Sequence, residues 1–226
     1  MQPFVIDCET IGIPNAADYL EPVTAPSNYK KPEAIAAYIA EETPKQLERA
    51  SLDIDLAQII CLGIQTPDGN TLVYRGDKVT EVEMLTWLWE MWNAHPWDER
   101  IFVTFNGTSY DVPLLLRRSL YLGIKAPIIQ CDRFKHPQIV DLMTSLNYGD
   151  IKKTHGLQFY LQRFGYPGGG QDVSGKDIAA LHAAGDWDAI AEHCRADVDG
   201  TAWLARRINQ MPQVSLRAAV AAQGAF

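Results

Sequence analysis

The sequence predicts an α/β domain in three layers, a mixed sheet between helices. Short apolar, β-branched runs crowd the first two thirds of the chain, and the last third is written in helical periods. Strand-like and helix-like segments alternate in the early part, the pattern of helices covering both faces of a sheet. At 226 residues, 47% apolar and 10% aromatic, the chain holds enough material for one domain with a buried core, and general disorder is excluded.

The elements follow in order. Pro3-Phe4-Val5-Ile6-Asp7-Cys8-Glu9-Thr10 reads as a strand that turns abruptly acidic, closed by Gly12 and Pro14. Residues 14–32 carry Pro14, Pro22, Pro26 and Pro32 and read as an extended loop. A helical stretch runs from Pro32 to about Ala50, with Pro32 suited to its first turn and Pro44 expected to break it in two. Loop and helix together make an insertion at about 14–50. Gln58 to Ile64 and Thr71 to Tyr74 flank the turn signal Pro67-Asp68-Gly69-Asn70, which predicts a hairpin.

Thr80 to Trp92 reads as a helix. Thr80 caps it with Glu83 three residues on, and Leu85, Leu88, Trp89 and Trp92 make its apolar face. Ile101 to Phe105 is short and wholly apolar, as a central strand is. Asn106-Gly107 ends it, and a helix runs from Asp111 to Leu122. Ile139-Val140-Asp141-Leu142 reads as a short strand or a helix entry. Three more helices are expected at about His155 to Phe164, at 176–184 and at 186–208, with a glycine-rich connection from Gly165 to Gly170. The domain is expected to span 1–210, with 211–226 a weakly patterned, mobile tail.

Charge narrows the function. Twenty Lys and Arg against 28 Asp and Glu leave a net charge of −8. That argues against a protein holding nucleic acid by charge alone. It is compatible with an enzyme that meets phosphate through bound metal, because such a site needs carboxylates. No apolar run approaches the roughly 20 residues that span a bilayer. Asp7 sits where a secretory leader needs a basic and then apolar start, so a cytoplasmic protein is expected. Cys8, Cys61, Cys131 and Cys194 are widely spaced, form no zinc pattern and read as free thiols.

Carboxylates gather at the ends of elements in three places. Asp7 and Glu9, two apart on a strand, point to one face, where their repulsion is tolerated if a divalent cation neutralises it. Cys8 and Ile6 point the other way. Asp111 opens a helix just after a buried strand, a position that also suits a plain helix cap. His193 and Asp197, four apart within a helix, share a face; Asp199 lies on another side.

In order and element type these segments resemble the DEDD superfamily of 3′→5′ exonucleases, which have a ribonuclease H-like fold. The first motif of that family is an apolar strand with D-x-E, here Val5-Ile6-Asp7-Cys8-Glu9-Thr10. The second, N-x-x-x-[FY]-D, is met by Asn106 through Tyr110-Asp111. The third, Y-x-x-x-D in the tyrosine subgroup, is here His193-Cys194-Arg195-Ala196-Asp197-Val198. The chain looks most like stand-alone, phage-encoded relatives of the family-B DNA polymerase proofreading domain, and the likeness runs from about residue 3 to 208. Asn28-Tyr29-Lys30-Lys31-Pro32 and Ser51-Leu52-Asp53 add to it. The third motif departs from the pattern: it combines the spacing of the tyrosine subgroup with the residue of the histidine subgroup.

The resemblance implies a metal-dependent 3′→5′ exonuclease working by a two-metal-ion mechanism on single-stranded DNA or other 3′ ends of nucleic acid. The setting would be a bacterial cell or phage-infected host, with a polymerase or replication protein as partner. Asp7, Glu9, Asp111 and Asp197 would hold two divalent cations, Mg²⁺ with Mn²⁺ able to substitute. His193 would take or orient the proton of the attacking water, since an imidazole ordinarily titrates near neutral pH. Thr10, Asn106 and Tyr110 would line the substrate cleft. Asn106 bracing a turn and Tyr110 packing in the core are the alternatives. Asp141 reads as structural.

Two other classes compete. One is a catalytically inactive nucleic-acid-binding relative, suggested by His193 alone. The other is an aspartyl-nucleophile phosphatase, since Asp7-Cys8-Glu9-Thr10 loosely matches a D-x-D-x-T strand end. That site wants Asp where Glu9 stands and does not explain Asn106 to Asp111.

Overall fold

In the computed structural model, which describes residues 3–97, 100–131, 137–148, 155–168 and 175–209, five strands make one sheet. They are β1 (Phe4–Gly12), β2 (Ala57–Gln65), β3 (Thr71–Arg75), β4 (Phe102–Thr104) and β5 (Ile139–Asp141), in the order β3-β2-β1-β4-β5. The first three run antiparallel; β4 and β5 continue the sheet in parallel with β1. Around the sheet lie α1 (Pro32–Arg49), α2 (Glu81–Ala94), α3 (Asp111–Tyr121), α4 (Leu142–Leu146), α5 (Leu157–Phe164), α6 (Ile178–Ala184) and α7 (Trp187–Asn209). This is the mixed three-layer α/β architecture expected from the sequence. The stretch read as strand or helix entry is both, β5 passing directly into α4. The tail 211–226 and Gly169-Gly170 lie outside the described residues.

Alternation along β1 builds two cores. Phe4, Ile6 and Cys8 pack with Met84, Leu85, Leu88, Trp89 and Trp92 of α2 and Val112 and Leu115 of α3. Val5 packs on the other face with Val103, Val140, Leu161 and Val198. The two helical tryptophans are core, as their spacing predicts. Trp92 stacks on Phe102 with ring centroids 4.1 Å apart, and the Trp89 indole N–H donates to Ser119 Oγ at 2.8 Å. The predicted capping box is present: Thr80 Oγ1 accepts from the Glu83 amide, and the Glu83 carboxylate accepts from the Thr80 amide.

Pro44 does not break the helix; α1 is continuous through it. A proline removes one donor, here the one that would meet the Ala40 carbonyl, and Ala40 and Pro44 are both exposed, so water can replace that bond. Lys45 bonds Glu41 at 2.7 Å and Glu42 at 2.8 Å across the same turn, and none of α1 is buried. It meets the sheet at its C-terminal end, where Leu47 and the short turn Ala50–Leu52 lie against Gly12 of β1.

Two details set the height of α7 over the sheet and the aim of β1. Gly63 of β2 lies beneath α7: a Cβ there would stand 2.7 Å from Val198 Cγ2 and 2.9 Å from Cys194 Sγ. Only glycine permits that approach. Between Glu9 and Thr10 the β1–β2 register slips, so that Glu9 opposes Cys61 and Thr10 opposes Ile59, leaving Ile60 as the extra residue. Such a bulge bends a strand and re-aims its side chains. Its loosened amide, that of Ile59, is taken up by Glu81 Oε1 at 2.9 Å.

Candidate functional site

The acidic end of β1 lies beneath α7. Asp7 is partly open and Glu9 is buried. A carboxylate oxygen of each and Cys194 Sγ of α7 lie within 4.8 Å of one another. Cys194 also directs its thiol at the Asp7 carbonyl, 3.7 Å away. One residue earlier on α7, His193 Nε2 stands 3.7 Å from Glu9 Oε1 and 3.8 Å from Asp197 Oδ2, between the two acids. His193 is buried, and its Nδ1 has no hydrogen-bond partner among the described residues. Asp197 Oδ1 accepts from Gln158 Nε2 of α5 at 3.2 Å.

Asp111 approaches from the other side of the sheet. It is the first residue of α3 and is buried, and Cys8 donates its thiol proton to Asp111 Oδ1 at 3.2 Å. Cys8 does point away from Asp7 and Glu9, as strand alternation demands, but it reaches this third acid. Asp111 and Asp197 stand outside the tight 4.8 Å group, yet their charges act on it.

The electrostatics are those of acids packed close to one another. Burial, then the neighbouring Glu9, Asp197 and Asp111, pushes the Asp7 carboxyl well above its ordinary range. Burial, then Asp197 and the other acidic neighbours, does the same to Glu9. Burial pushes Asp111 up to about 6 against the opposing Cys8 hydrogen bond. The Cys194 thiol is raised by its hydrogen bond to Cys61 and by burial, so it stays protonated. The donor set is therefore one of hard oxygens, the kind that Mg²⁺ or Mn²⁺ takes.

The three residues expected to line the cleft each have a structural task. Asn106 adopts φ 67°, a left-handed conformation that asparagine tolerates better than most residues. Its amide donates to Asp141 Oδ1 at 3.0 Å, while Thr108 donates from its amide (3.1 Å) and hydroxyl (2.6 Å) to Oδ2. Asp141 also caps α4 through the amides of Met143 and Thr144, the structural part read for it in the sequence. Thr10 Oγ1 and the Tyr110 hydroxyl, 2.9 Å apart, both lie against the Ser51 carbonyl, fastening the end of the insertion to the sheet. Asp199, set aside on helical geometry, faces the hairpin and accepts from Thr71 Oγ1 at 2.7 Å.

Sequence reasoning missed Cys8 as a partner of Asp111, Gln158 as a partner of Asp197 and Gly63 as the seat of α7. Cys8 could have been suspected from its place inside the D-x-E strand. Gln158 carries no local signal.

Comparison with known proteins follows this geometry. A family model described as a predicted 3′-5′ exonuclease related to the exonuclease domain of PolB matches residues 56–218, a span that includes Asp111, His193 and Asp197. Among solved structures, the fold is similar to the family B DNA polymerase from the hyperthermophilic archaeon Pyrobaculum calidifontis, with a TM-score of 0.58 at 15% identity. That likeness covers 93% of this chain and 26% of the polymerase chain. A search of curated proteins finds no match. Among the described residues no helix is long and apolar enough to cross a membrane.

Proposed function

Because this chain belongs to the family of predicted 3′-5′ exonucleases related to the exonuclease domain of PolB, we propose that it removes nucleotides from the 3′ end of single-stranded DNA, with two divalent cations held by Asp7, Glu9, Asp111 and Asp197. The carrying observation is that acids from β1, α3 and α7 gather with their charges mutually opposed. Such an arrangement is costly for the folded chain unless a cation offsets it.

When bound, two such cations supply an activated water and neutralise charge at the phosphate. The chain's own groups do the rest. Asp7 and Glu9 form the floor, presented by β1 beside the bulge of β2. Asp111 is fixed from beneath by the Cys8 thiol and Asp197 from the side by Gln158. His193, wedged between Glu9 and Asp197, orients the attacking water. Thr10, Asn106 and Tyr110 shape the cleft wall rather than grip the substrate, and the partner is a DNA 3′ end delivered by replication.

The test is digestion of 5′-labelled single-stranded DNA with Mg²⁺ or Mn²⁺, beside Asp7→Ala and EDTA controls. A ladder shortening from the 3′ end, absent from both controls, is expected. No ladder with DNA, while metal still binds, would overturn the proposal in favour of a binding module. In the same assay His193→Ala should bind metal normally and cut more slowly; an unchanged rate removes the role assigned to it.

Stability should follow pH in an unusual direction. Carboxyls whose folded-state values are raised bind more protons in the folded chain than in the unfolded one, between the ordinary value of about 4 and the raised value. Stability therefore falls as pH climbs through that window, which for Asp111 ends at about 6; Asp7 and Glu9 are shifted in the same direction and add to the effect. In EDTA the melting temperature should rise by several degrees from about pH 8 to about pH 5. Below that, exposed carboxyls held low by their partners, such as Asp55 and Asp77, reverse the trend. Added Mn²⁺ should flatten the upper limb. A melting temperature that climbs steadily from about pH 5 to about pH 8 in EDTA would contradict this.

Cys8 provides a finer check. Burial and the nearby acids keep its thiol protonated, hence a donor. Cys8→Ala should weaken Mn²⁺ binding by roughly 10- to 100-fold in calorimetric titration, the range seen when a ligand's supporting partner is lost. Cys8→Ser, which retains a donor, should lose much less.

A further inference from the structure

We infer that Cys194, His193, Glu9 and Asp7 form an inhibitory site for a thiophilic divalent cation of the Zn²⁺ class, which engages two of the acids and shuts out Mg²⁺ or Mn²⁺; the inhibition, though not the binding, rests on the exonuclease reading above. The acids alone offer only oxygen. Cys194 adds sulfur: its Sγ and one carboxylate oxygen each of Asp7 and Glu9 lie within 4.8 Å of one another. His193 adds nitrogen: its Nε2 stands 3.7 Å from Glu9 Oε1, and Glu9 belongs to both groups.

The imidazole points to a ligand independently of the thiol. His193 is only 7% exposed, and its Nδ1 has no hydrogen-bond partner among the described residues. Its Nε2 is aimed between Glu9 and Asp197 but meets them at 3.7 and 3.8 Å, beyond hydrogen-bond length. A buried polar ring left in this way is costly, and a cation at Nε2 would relieve it.

Donor chemistry decides which ion gains. Zn²⁺ takes thiolate sulfur, imidazole nitrogen and carboxylate oxygen in a tetrahedral set, and four protein donors leave no position for a water. At bond lengths of about 2.0–2.3 Å, such donors stand roughly 3.3–3.8 Å apart. The His193–Glu9 pair already meets that spacing, and Asp7, which is partly open, can close toward it. Mg²⁺ and Mn²⁺ prefer oxygen, so with them the Cys194 thiol keeps its proton. Zn²⁺ displaces it: a Zn–S bond forms and H⁺ passes to the solvent. At donors that both ions accept, Zn²⁺ is also held more tightly than Mn²⁺. Cys8 does not enter, because its thiol is turned to Asp111. Cys61, opposite Glu9 on β2 and packed with Cys194, is not one of the clustered donors and serves as a control.

The experiment titrates Co²⁺, a spectroscopic stand-in for Zn²⁺, into the metal-free chain. The wild type should develop a thiolate-to-cobalt charge-transfer band in the near ultraviolet, and Zn²⁺ should erase it. Cys194→Ala and Cys194→Ser should lack the band, and Cys61→Ala should keep it, with circular dichroism checking that each is folded. Glu9→Gln, which leaves the thiol in place, should weaken Co²⁺ binding by roughly tenfold or more. No band in the wild type, a band that survives Cys194→Ala, or unchanged Co²⁺ affinity in Glu9→Gln overturns the site. In the DNA digestion with excess Mg²⁺, Zn²⁺ should stop the ladder. Cys194→Ala should need roughly tenfold more Zn²⁺ for half inhibition, each protein being compared with its own uninhibited rate. Equal sensitivity to Zn²⁺ overturns the inhibitory role. If no ladder forms under any condition while the cobalt band appears and depends on Cys194, the exonuclease reading falls and the cation site stands.

Discussion

Asp7→Asn should abolish the proposed exonuclease activity and, at the same time, raise the melting temperature of the metal-free protein. Both effects come from one charge. Asp7 sits among Glu9, Asp197 and Asp111, and burial and all three neighbours disfavour its ionised form. Asparagine keeps the shape and removes the repulsion, so the chain folds around a smaller electrostatic debt. The same change removes a proposed hard ligand from the floor of the site, at the residue paired with Gly63. The loss of activity should exceed the roughly 100-fold that supporting partners of metal ligands cost. The check is paired: single-turnover digestion with Mn²⁺, and thermal unfolding in EDTA and in Mn²⁺. Wild type should gain stability from Mn²⁺ and the variant much less. A variant that is inactive and also less stable in EDTA would show that Asp7 is held by interactions other than those described.

Arg118→Ala should be the most damaging single change away from the acids. Arg118 of α3 pairs with Glu81 at the start of α2 through two parallel hydrogen bonds, Nε to Oε1 at 2.8 Å and Nη2 to Oε2 at 2.7 Å. Both side chains are largely shielded, 9% and 14% exposed. Removing one member of such a pair leaves the other charge uncompensated and costs about 3–5 kcal/mol. Glu81 also receives the Ile59 amide at the β1–β2 bulge, so its displacement is felt one strand away from Glu9. Urea unfolding measures the loss. The double variant Arg118→Leu, Glu81→Gln should recover part of it, since no charge is then stranded and the glutamine oxygen still accepts from Ile59. A cost below about 1 kcal/mol for Arg118→Ala would mean that the pair is effectively solvated.

The parts of this molecule that were legible in the sequence are those written locally. Short apolar, β-branched runs marked β1, the Pro67–Asn70 turn signal marked the β2–β3 hairpin, the Thr80–Glu83 box marked the start of α2, and helical spacing put Trp89 and Trp92 in the core. The acids were legible from their spacing: Asp7 and Glu9 two apart on a strand, Asp111 at the opening of a helix, Asp197 four residues after His193. Distant partnerships were not. Thr10 and Tyr110 meet at the Ser51 carbonyl across 41 and 59 residues, and no pattern announces it. The extra residue at Ile60 leaves no composition signal, because a bulge depends on what the partner strand does. Pro44 misled because proline's penalty is judged against a buried helix, whereas α1 lies open to water.

The order in which the acids occur along the chain has a consequence for how the protein is made. Asp7 and Glu9 belong to the first strand, β1, and Asp197 and His193 to the last described helix, α7. Nearly the whole domain is translated between them. β1 must leave the ribosome long before the parallel neighbour β4 exists to flank it, and α7 closes over the sheet only after all five strands have emerged. On the proposed reading, a nascent chain of this design carries one half of its acid set without the other, and the set is completed in one step, when α7 docks.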